Sequence, residues 1–305
     1  MFPHSARYFG RLVAGEVSRL AYGNDAGVVN NVRGRAGLRA VQRKMRGAVS
    51  HEQHVWQAAT GLFRNGWAPL APTLDTRTID ELRSRCEVLL EDPAHSVDLG
   101  FAPRVDAVRH IVEPVSKVPD LARLLSDDAI EVLRTVYAAE LEVRSVRVWR
   151  TIHVPDENLS TSGRLRRRRS VSVMSNLMHC DTHPVSMTKL FVQLSPGVDA
   201  ESGALHLLPI AATKQAMRSG FLRPDVVVGP ARRVVSDIER LVHFDGPPGS
   251  GLLLNSELCL HAAGVPRAGS TRLMAQFVLA PAAVPLPTDW ASSLSPDVEI
   301  LAQVG

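Results

Sequence analysis

From Leu141 to Val154 the chain reads Leu-Glu-Val-Arg-Ser-Val-Arg-Val-Trp-Arg-Thr-Ile-His-Val, the period-2 alternation of a half-buried strand. Residues 171–176, 188–194, 204–208, 226–228, 252–256 and 272–279 read as further strands. Turn-rich segments such as Ser195-Pro196-Gly197 and Gly246-Pro247-Pro248-Gly249-Ser250-Gly251 separate them. Ahead of residue 141 the period is helical. Residues 36–65 place apolar side chains at Leu38, Val41, Met45, Val49, Val55 and Leu62 with charges between them. A second helix has Thr78 and Glu81 as a capping box, an apolar stripe of Ile79, Leu82, Cys86 and Leu89, and Asp92-Pro93 as its stop. A third helical stretch covers about 120–139. Many short strands between Gly/Pro turns predict a sandwich or barrel with flanking helices, not a parallel α/β sheet. The expected organisation is one structural domain: a helical N-terminal portion (1–140) packing on a β core (141–285), then a C-terminal tail (286–305).

Composition changes this picture little. The 305 residues are 45% apolar and 22% charged, the proportions of an ordinary globular protein. No apolar run approaches the roughly 18–20 residues of a membrane span. Arg7, Arg11 and Arg19 are scattered through the N-terminus without an apolar block, unlike a secretory signal. The three cysteines, Cys86, Cys180 and Cys259, are odd in number and far apart, which predicts no disulfide framework and fits a reducing cytosol. The absence of any CxxC pair argues against a zinc knuckle. Residues 1–50 carry nine Arg/Lys against Glu16 and Asp25, so the basic excess of the +4 chain belongs there and the remainder is slightly acidic. That run reads as a solvated helical face, with contact to a membrane surface, a nucleic acid or an acidic partner as the alternative. With no aromatics interleaved, it gives no support for a nucleic-acid partner.

The chemistry concentrates in Met178-His179-Cys180-Asp181-Thr182-His183. On a strand, residues two apart share a face, so His179 and Asp181 can reach one metal while Cys180 points away. His261, just past the apolar run Leu252–Leu254, is the expected third ligand. Two imidazoles and one carboxylate on one face of an octahedron leave three open positions, the arrangement of oxygen-activating Fe(II) sites. A 2-oxo acid can fill two of them through its carboxylate and keto oxygen, leaving one for dioxygen. Its far carboxylate then needs a buried cation. Arg272, eleven residues after His261 at the start of the next strand, offers a planar fork for that purpose.

These pieces, in order, resemble the phytanoyl-CoA dioxygenase-like branch of the Fe(II)/2-oxoglutarate oxygenases. The resemblance covers about 141–281 and rests on His179-Cys180-Asp181, Lys189-Leu-Phe-Val-Gln-Leu194, Glu201-Ser-Gly-Ala-Leu-His-Leu-Leu-Pro209, Gly251-Leu-Leu-Leu-Asn255, His261 and Arg272. Phe63-Arg-Asn-Gly-Trp-Ala-Pro-Leu70 matches the family's lead-in more loosely. It implies a double-stranded β-helix, a cupin-like jelly roll. It also implies Fe(II), 2-oxoglutarate and dioxygen as reactants, and hydroxylation of an unactivated C–H bond as the default outcome. Halogenating relatives lack the carboxylate ligand, so Asp181 speaks for oxygenation. The chain departs from the family at Ala263 and Met274, where relatives carry serines that help hold the oxo acid, and at Pro209-Ile-Ala-Ala, where they carry Pro-Gly-Ser-His. Lys189 and Asn176 are further candidates to support the oxo acid.

Other residues carry less. His183 is a candidate to face the substrate, although Pro184 ends its strand; His206 receives no role, and Cys259 reads as a small buried hydrophobe. The run Arg164-Leu-Arg-Arg-Arg-Arg169 is either a solvated loop or a lid for an anionic substrate, and it motivates a small polar or anionic metabolite in natural-product or sugar- and nucleotide-linked tailoring. The sequence sets no oligomeric state. Two other functions compete. A zinc hydrolase would use His179, Asp181, His183 and His261 but leaves Arg272 idle. A non-catalytic cupin-type binding module has no need of an intact triad.

Overall fold

The computed structural model describes residues 28–44, 52–98, 108–153, 178–181, 186–199, 202–218 and 241–294. Its organising strand is β10 (Thr271–Ala282), buried on both faces over most of its length. It pairs with β4 (Glu140–Ile152) on one side and β5 (Thr188–Gln193) on the other, with a register shift between Val278 and Leu279. Adding β1 (Trp67–Leu70), β2 (Ser96–Asp98), β3 (Val108–Ile111) and β8 (Gly251–Leu254) gives a seven-stranded antiparallel sheet in the order β1-β8-β5-β10-β4-β3-β2. A smaller sheet has the order β7-β6-β9, from Val242–Phe244, Leu205–Leu207 and His261–Ala262. An antiparallel bridge between His179 and His261 sets residues 178–181 beside β9.

The alternation decides what each face meets. Leu273, Ala275, Phe277 and Leu279 of β10 turn outward into the large core, while Met274 turns inward against Phe191, Leu205, Leu207, Leu252 and Leu254. That inner cluster joins both sheets, so they face each other as the walls of a double-stranded β-helix. Arg272 shares the inward face of Met274, and Lys189 that of Phe191, by the same two-residue period.

The outer face of the large sheet is covered by helices: α1 (Val28–Lys44), α2 (Gln53–Asn65), α3 (Thr76–Glu91), the short α4 (Pro114–Lys117) and α5 (Asp127–Tyr137). Their buried stripes follow the helical period, as in Val55, Ala59 and Leu62 of α2, and in Ala129, Val132, Leu133 and Tyr137 of α5. Trp290, in a 3-10 turn over Trp290–Ser293, packs edge-on against Phe277, so this part of the tail belongs to the same core. The small sheet is covered by α6 (Ile210–Arg218), whose Ala216 and Met217 meet Met178, Cys180, Leu260 and Ala262.

Several local expectations change. The region 36–65 is two helices, α1 and α2, with residues 45–51 outside the described set. The cap of α3 is Asp75, not Thr78. Asp75 accepts from the Thr78 backbone N–H at 2.8 Å, and Glu81 is drawn to Arg77 at 3.0 Å instead of closing a capping box. The 120–139 stretch is a 3-10 turn (Pro119–Leu124) followed by α5, which Ser126 caps. The portion read as helical also supplies β1, β2 and β3. The strand candidates 171–176 and 226–228 lie outside the described residues. Gly66, left-handed at φ 93°, ends α2, and a Cβ there would lie 2.1 Å from Cys259 Sγ. Among the described residues no helix is long and apolar enough to cross a membrane.

Candidate metal centre

His179 and His261 face each other across the bridge. His179 N–H donates to His261 O at 3.0 Å, His261 N–H donates to His179 O at 2.9 Å, and the ring centroids are 4.4 Å apart. Two residues on, Asp181 N–H donates to Ser256 O at 3.0 Å, which turns its carboxylate to the same face. Asp181 Oδ1 lies 3.7 Å from His179 Nε2, and Oδ2 lies 3.7 Å from His261 Nε2. The three residues each offer one ligand atom within 4.8 Å of the others. Cys180, on the opposite face, is buried in the cluster under α6.

The electrostatics suit a divalent cation. His261 Nδ1 lies 3.0 Å from Cys259 O, an atom that can only accept, so Nδ1 carries the proton and Nε2 presents a lone pair. Burial, reinforced by His179, lowers the His261 pKa to about 3, so the ring is neutral at physiological pH. Burial alone would raise the Asp181 carboxyl, but the ion pair with Lys189, helped by His261 and His179, outweighs it and holds the group well below the usual carboxylate range. A neutral imidazole and an ionised carboxylate are the forms that bind metal.

Of the residues expected to hold the oxo acid, Arg272 lies inside the barrel at 1% exposure. Its Nη1 donates to Gly203 O, and its Nε has no hydrogen-bond partner among the described residues. Among the described residues no carboxylate pairs with it. Burial lowers its pKa to about 10, so it stays cationic at neutral pH. Lys189 is also buried, with Nζ 2.5 Å from Asp181 Oδ2. Asn176, His183 and the Arg164–Arg169 run lie outside the described residues. His206 is half-buried, its Nδ1 2.8 Å from His243 Nδ1 on the neighbouring strand. Cys86, Cys180 and Cys259 are free thiols and buried. Cys259 Sγ donates to Asn65 O at 3.3 Å.

Glu257 was not anticipated from the sequence. It sits in the turn between β8 and β9, fully buried, and among the described residues neither carboxyl oxygen has a hydrogen-bond partner. Burial, then the nearby Asp181 charge, push it well above the ordinary carboxylate range. The available signal was an acid inside the apolar run Leu252-Leu-Leu-Asn-Ser-Glu-Leu-Cys-Leu260. The folded protein therefore keeps a proton that the unfolded chain releases above its ordinary pKa of 4.5. Each pH unit above that costs about 1.4 kcal/mol of stability until the folded pKa is reached. A Glu257→Gln variant of the metal-free protein is expected to match the parent near pH 4 and to exceed it increasingly by pH 7.5. Urea denaturation at both pH values checks this; equal differences at both would contradict it.

Solved structures share the fold. The non-haem alpha-ketoglutarate-dependent epimerase SnoN from nogalamycin biosynthesis is 14% identical, over 75% of this chain and 83% of that one, with a TM-score of 0.52. EctD from S. alaskensis, crystallised with 2-oxoglutarate and 5-hydroxyectoine, is 18% identical over 78% of this chain and 80% of that one, with a TM-score of 0.53. The alpha-ketoglutarate-dependent carbocyclase SnoK from nogalamycin biosynthesis is 15% identical over 82% and 95%, with a TM-score of 0.50. At these identities the likeness establishes the double-stranded β-helix. No protein-family model and no curated protein matches the chain.

Proposed function

We propose that the chain is an Fe(II)- and 2-oxoglutarate-dependent oxygenase acting on a small molecule. His179, Asp181 and His261 would hold the metal, and Arg272 would hold the far carboxylate of the oxo acid. The observation that carries the reading is Arg272: a buried guanidinium with one backbone acceptor, an unpartnered Nε and no acidic partner among the described residues. A buried cation left so is costly unless an anion arrives, and a dicarboxylate reaching past the triad would supply one. A zinc hydrolase gives that residue nothing to do, and its fourth ligand, His183, is outside the described residues.

The triad fits the metal by its donor set: two imidazoles, that of His261 held neutral by burial, and one ionised carboxylate. When bound, the ion would supply oxygen activation for attack on an unactivated C–H bond. The protein's part is to orient the ligands, hold the oxo acid at Arg272 and enclose the reaction between the sheets. Hydroxylation is the default outcome we assign; SnoN and SnoK are named as an epimerase and a carbocyclase on this fold. The polybasic run at 164–169 supports an anionic substrate.

Anaerobic titration with Fe(II) and then 2-oxoglutarate tests the assignment. The expected result is a weak visible charge-transfer band that saturates with oxo acid, followed by succinate release on admitting air. Tight zinc binding without any such band would return the hydrolase to first place.

A further inference from the structure

We infer that Lys189 is a positioning residue that makes Asp181 a one-oxygen metal ligand, keeping a coordination position open for the oxo acid. This rests on the oxygenase reading above. A carboxylate can give a metal one oxygen or two. On a triad with three open positions, a second oxygen from Asp181 would occupy a place that the chelating oxo acid and dioxygen require between them.

Lys189 is built to prevent this. Its strand, β5, is hydrogen-bonded on both sides, with Lys189 opposite Val278 of β10 and Leu254 of β8. The backbone at this position is therefore fixed, and the side chain emerges inside the barrel at 8% exposure. Each carboxylate oxygen of Asp181 lies 3.7 Å from one ligand histidine, Oδ1 from His179 Nε2 and Oδ2 from His261 Nε2, but Lys189 Nζ sits 2.5 Å from Oδ2. An ammonium hydrogen-bonded to Oδ2 engages that oxygen and repels a dication approaching it, leaving Oδ1 for the metal. The backbone bond from Asp181 N–H to Ser256 O resists rotation of the residue away from this arrangement.

The test compares the parent protein with Lys189→Met and Lys189→Gln, all loaded with Fe(II) without oxygen. Binding of metal and of oxo acid is measured separately, by metal titration and by the charge-transfer band. Loading with metal also compensates the carboxylate that Met leaves unpaired, and Gln retains a donor for Oδ2. Lys189→Met is expected to bind Fe(II) as tightly as the parent or more so, yet to need about tenfold more 2-oxoglutarate, the order of one lost charged hydrogen bond. Lys189→Gln is expected to stay within about threefold of the parent for both. The one-carboxylate oxo acid 2-oxobutyrate should weaken by the same factor in Lys189→Met, because the chelating end is the same. An unchanged oxo-acid affinity in Lys189→Met would reduce Lys189 to a counter-charge and overturn the inference. So would parallel loss of metal and oxo acid, which is what structural damage produces. Weakening confined to 2-oxoglutarate would instead place Lys189 on the far carboxylate and equally overturn it. Failure of the parent protein to bind Fe(II) or give the band sinks the oxygenase reading itself, an outcome distinct from all of these.

Discussion

An Asp181→Ala variant is expected to lose Fe(II) binding and to be markedly less stable without metal, for two separable reasons. The first is ligation. Groups that merely orient metal ligands are worth about 10–100-fold in affinity, so removing the one anionic ligand of three should exceed about 100-fold. The second is the stranded partner. Lys189 is buried beside Asp181, and deleting one member of a buried ion pair costs about 3–5 kcal/mol because the other charge is left uncompensated. The pH dependence has a definite sign. Burial opposes ionisation of Asp181, but Lys189, His261 and His179 together outweigh it and depress the folded pKa below 3.8. The pair's contribution is therefore complete above the unfolded value and is lost as pH falls through the folded one. The deficit of Asp181→Ala should thus be full at pH 7 and shrink only in strong acid. The double variant Asp181→Ala/Lys189→Met should recover most of the stability and none of the metal affinity. Urea denaturation and metal titration of the three proteins would separate the two effects. A double variant no more stable than the single would show that Lys189 is not stranded.

Much of this site was legible before the structure because its determinants are local. Two residues at i and i+2 of a strand must share a face, Leu141–Ile152 alternates because one of its faces meets the large core, and Arg272–Leu279 is nearly all apolar because it is buried on both faces. What was not legible depends on partners distant in sequence. β2 and β3 are three and four residues long, too short for a period, and exist because β3 pairs with the edge of β4. Helix α6 is anchored by Thr213, which donates to Leu208 O and accepts from Leu260 N–H. That tie is to a residue 47 positions away, just before β9, and leaves no mark on the local pattern. The sequence offers Lys189 as a support for the oxo acid; its placement against Asp181 needs β5 to lie beside β8 and the 178–181 segment to bridge β9. The Asp75 cap was missed for a different reason: Thr78 and Glu81 match a capping box in spacing, and only the ion pair with Arg77 shows where Glu81 goes.

Arg272→Met should separate oxo-acid binding from metal binding in the opposite sense to Asp181→Ala. Arg272 is buried, cationic at neutral pH and, among the described residues, hydrogen-bonded to Gly203 O with no acidic partner. If it anchors the far carboxylate, losing a bidentate charged pair inside the barrel should weaken 2-oxoglutarate by about 100-fold or more. Fe(II) affinity should stay within about threefold, since no triad atom is touched. Removing an uncompensated buried cation should also leave the oxo-acid-free protein as stable as the parent or more so. The thermal shift is a second readout. At 100 times its dissociation constant, 2-oxoglutarate stabilises the Fe(II)-loaded parent by about 2.7 kcal/mol through mass action, and at the same concentration it should barely move the melting temperature of Arg272→Met. Arg272→Lys should fall between, keeping the charge without the planar fork. The one-carboxylate 2-oxobutyrate should bind parent and Arg272→Met alike, because it has no far end to anchor. Equal 2-oxoglutarate affinity in parent and Arg272→Met would remove the observation on which the oxygenase reading most depends, and would leave the orphaned guanidinium as a site for some other anion.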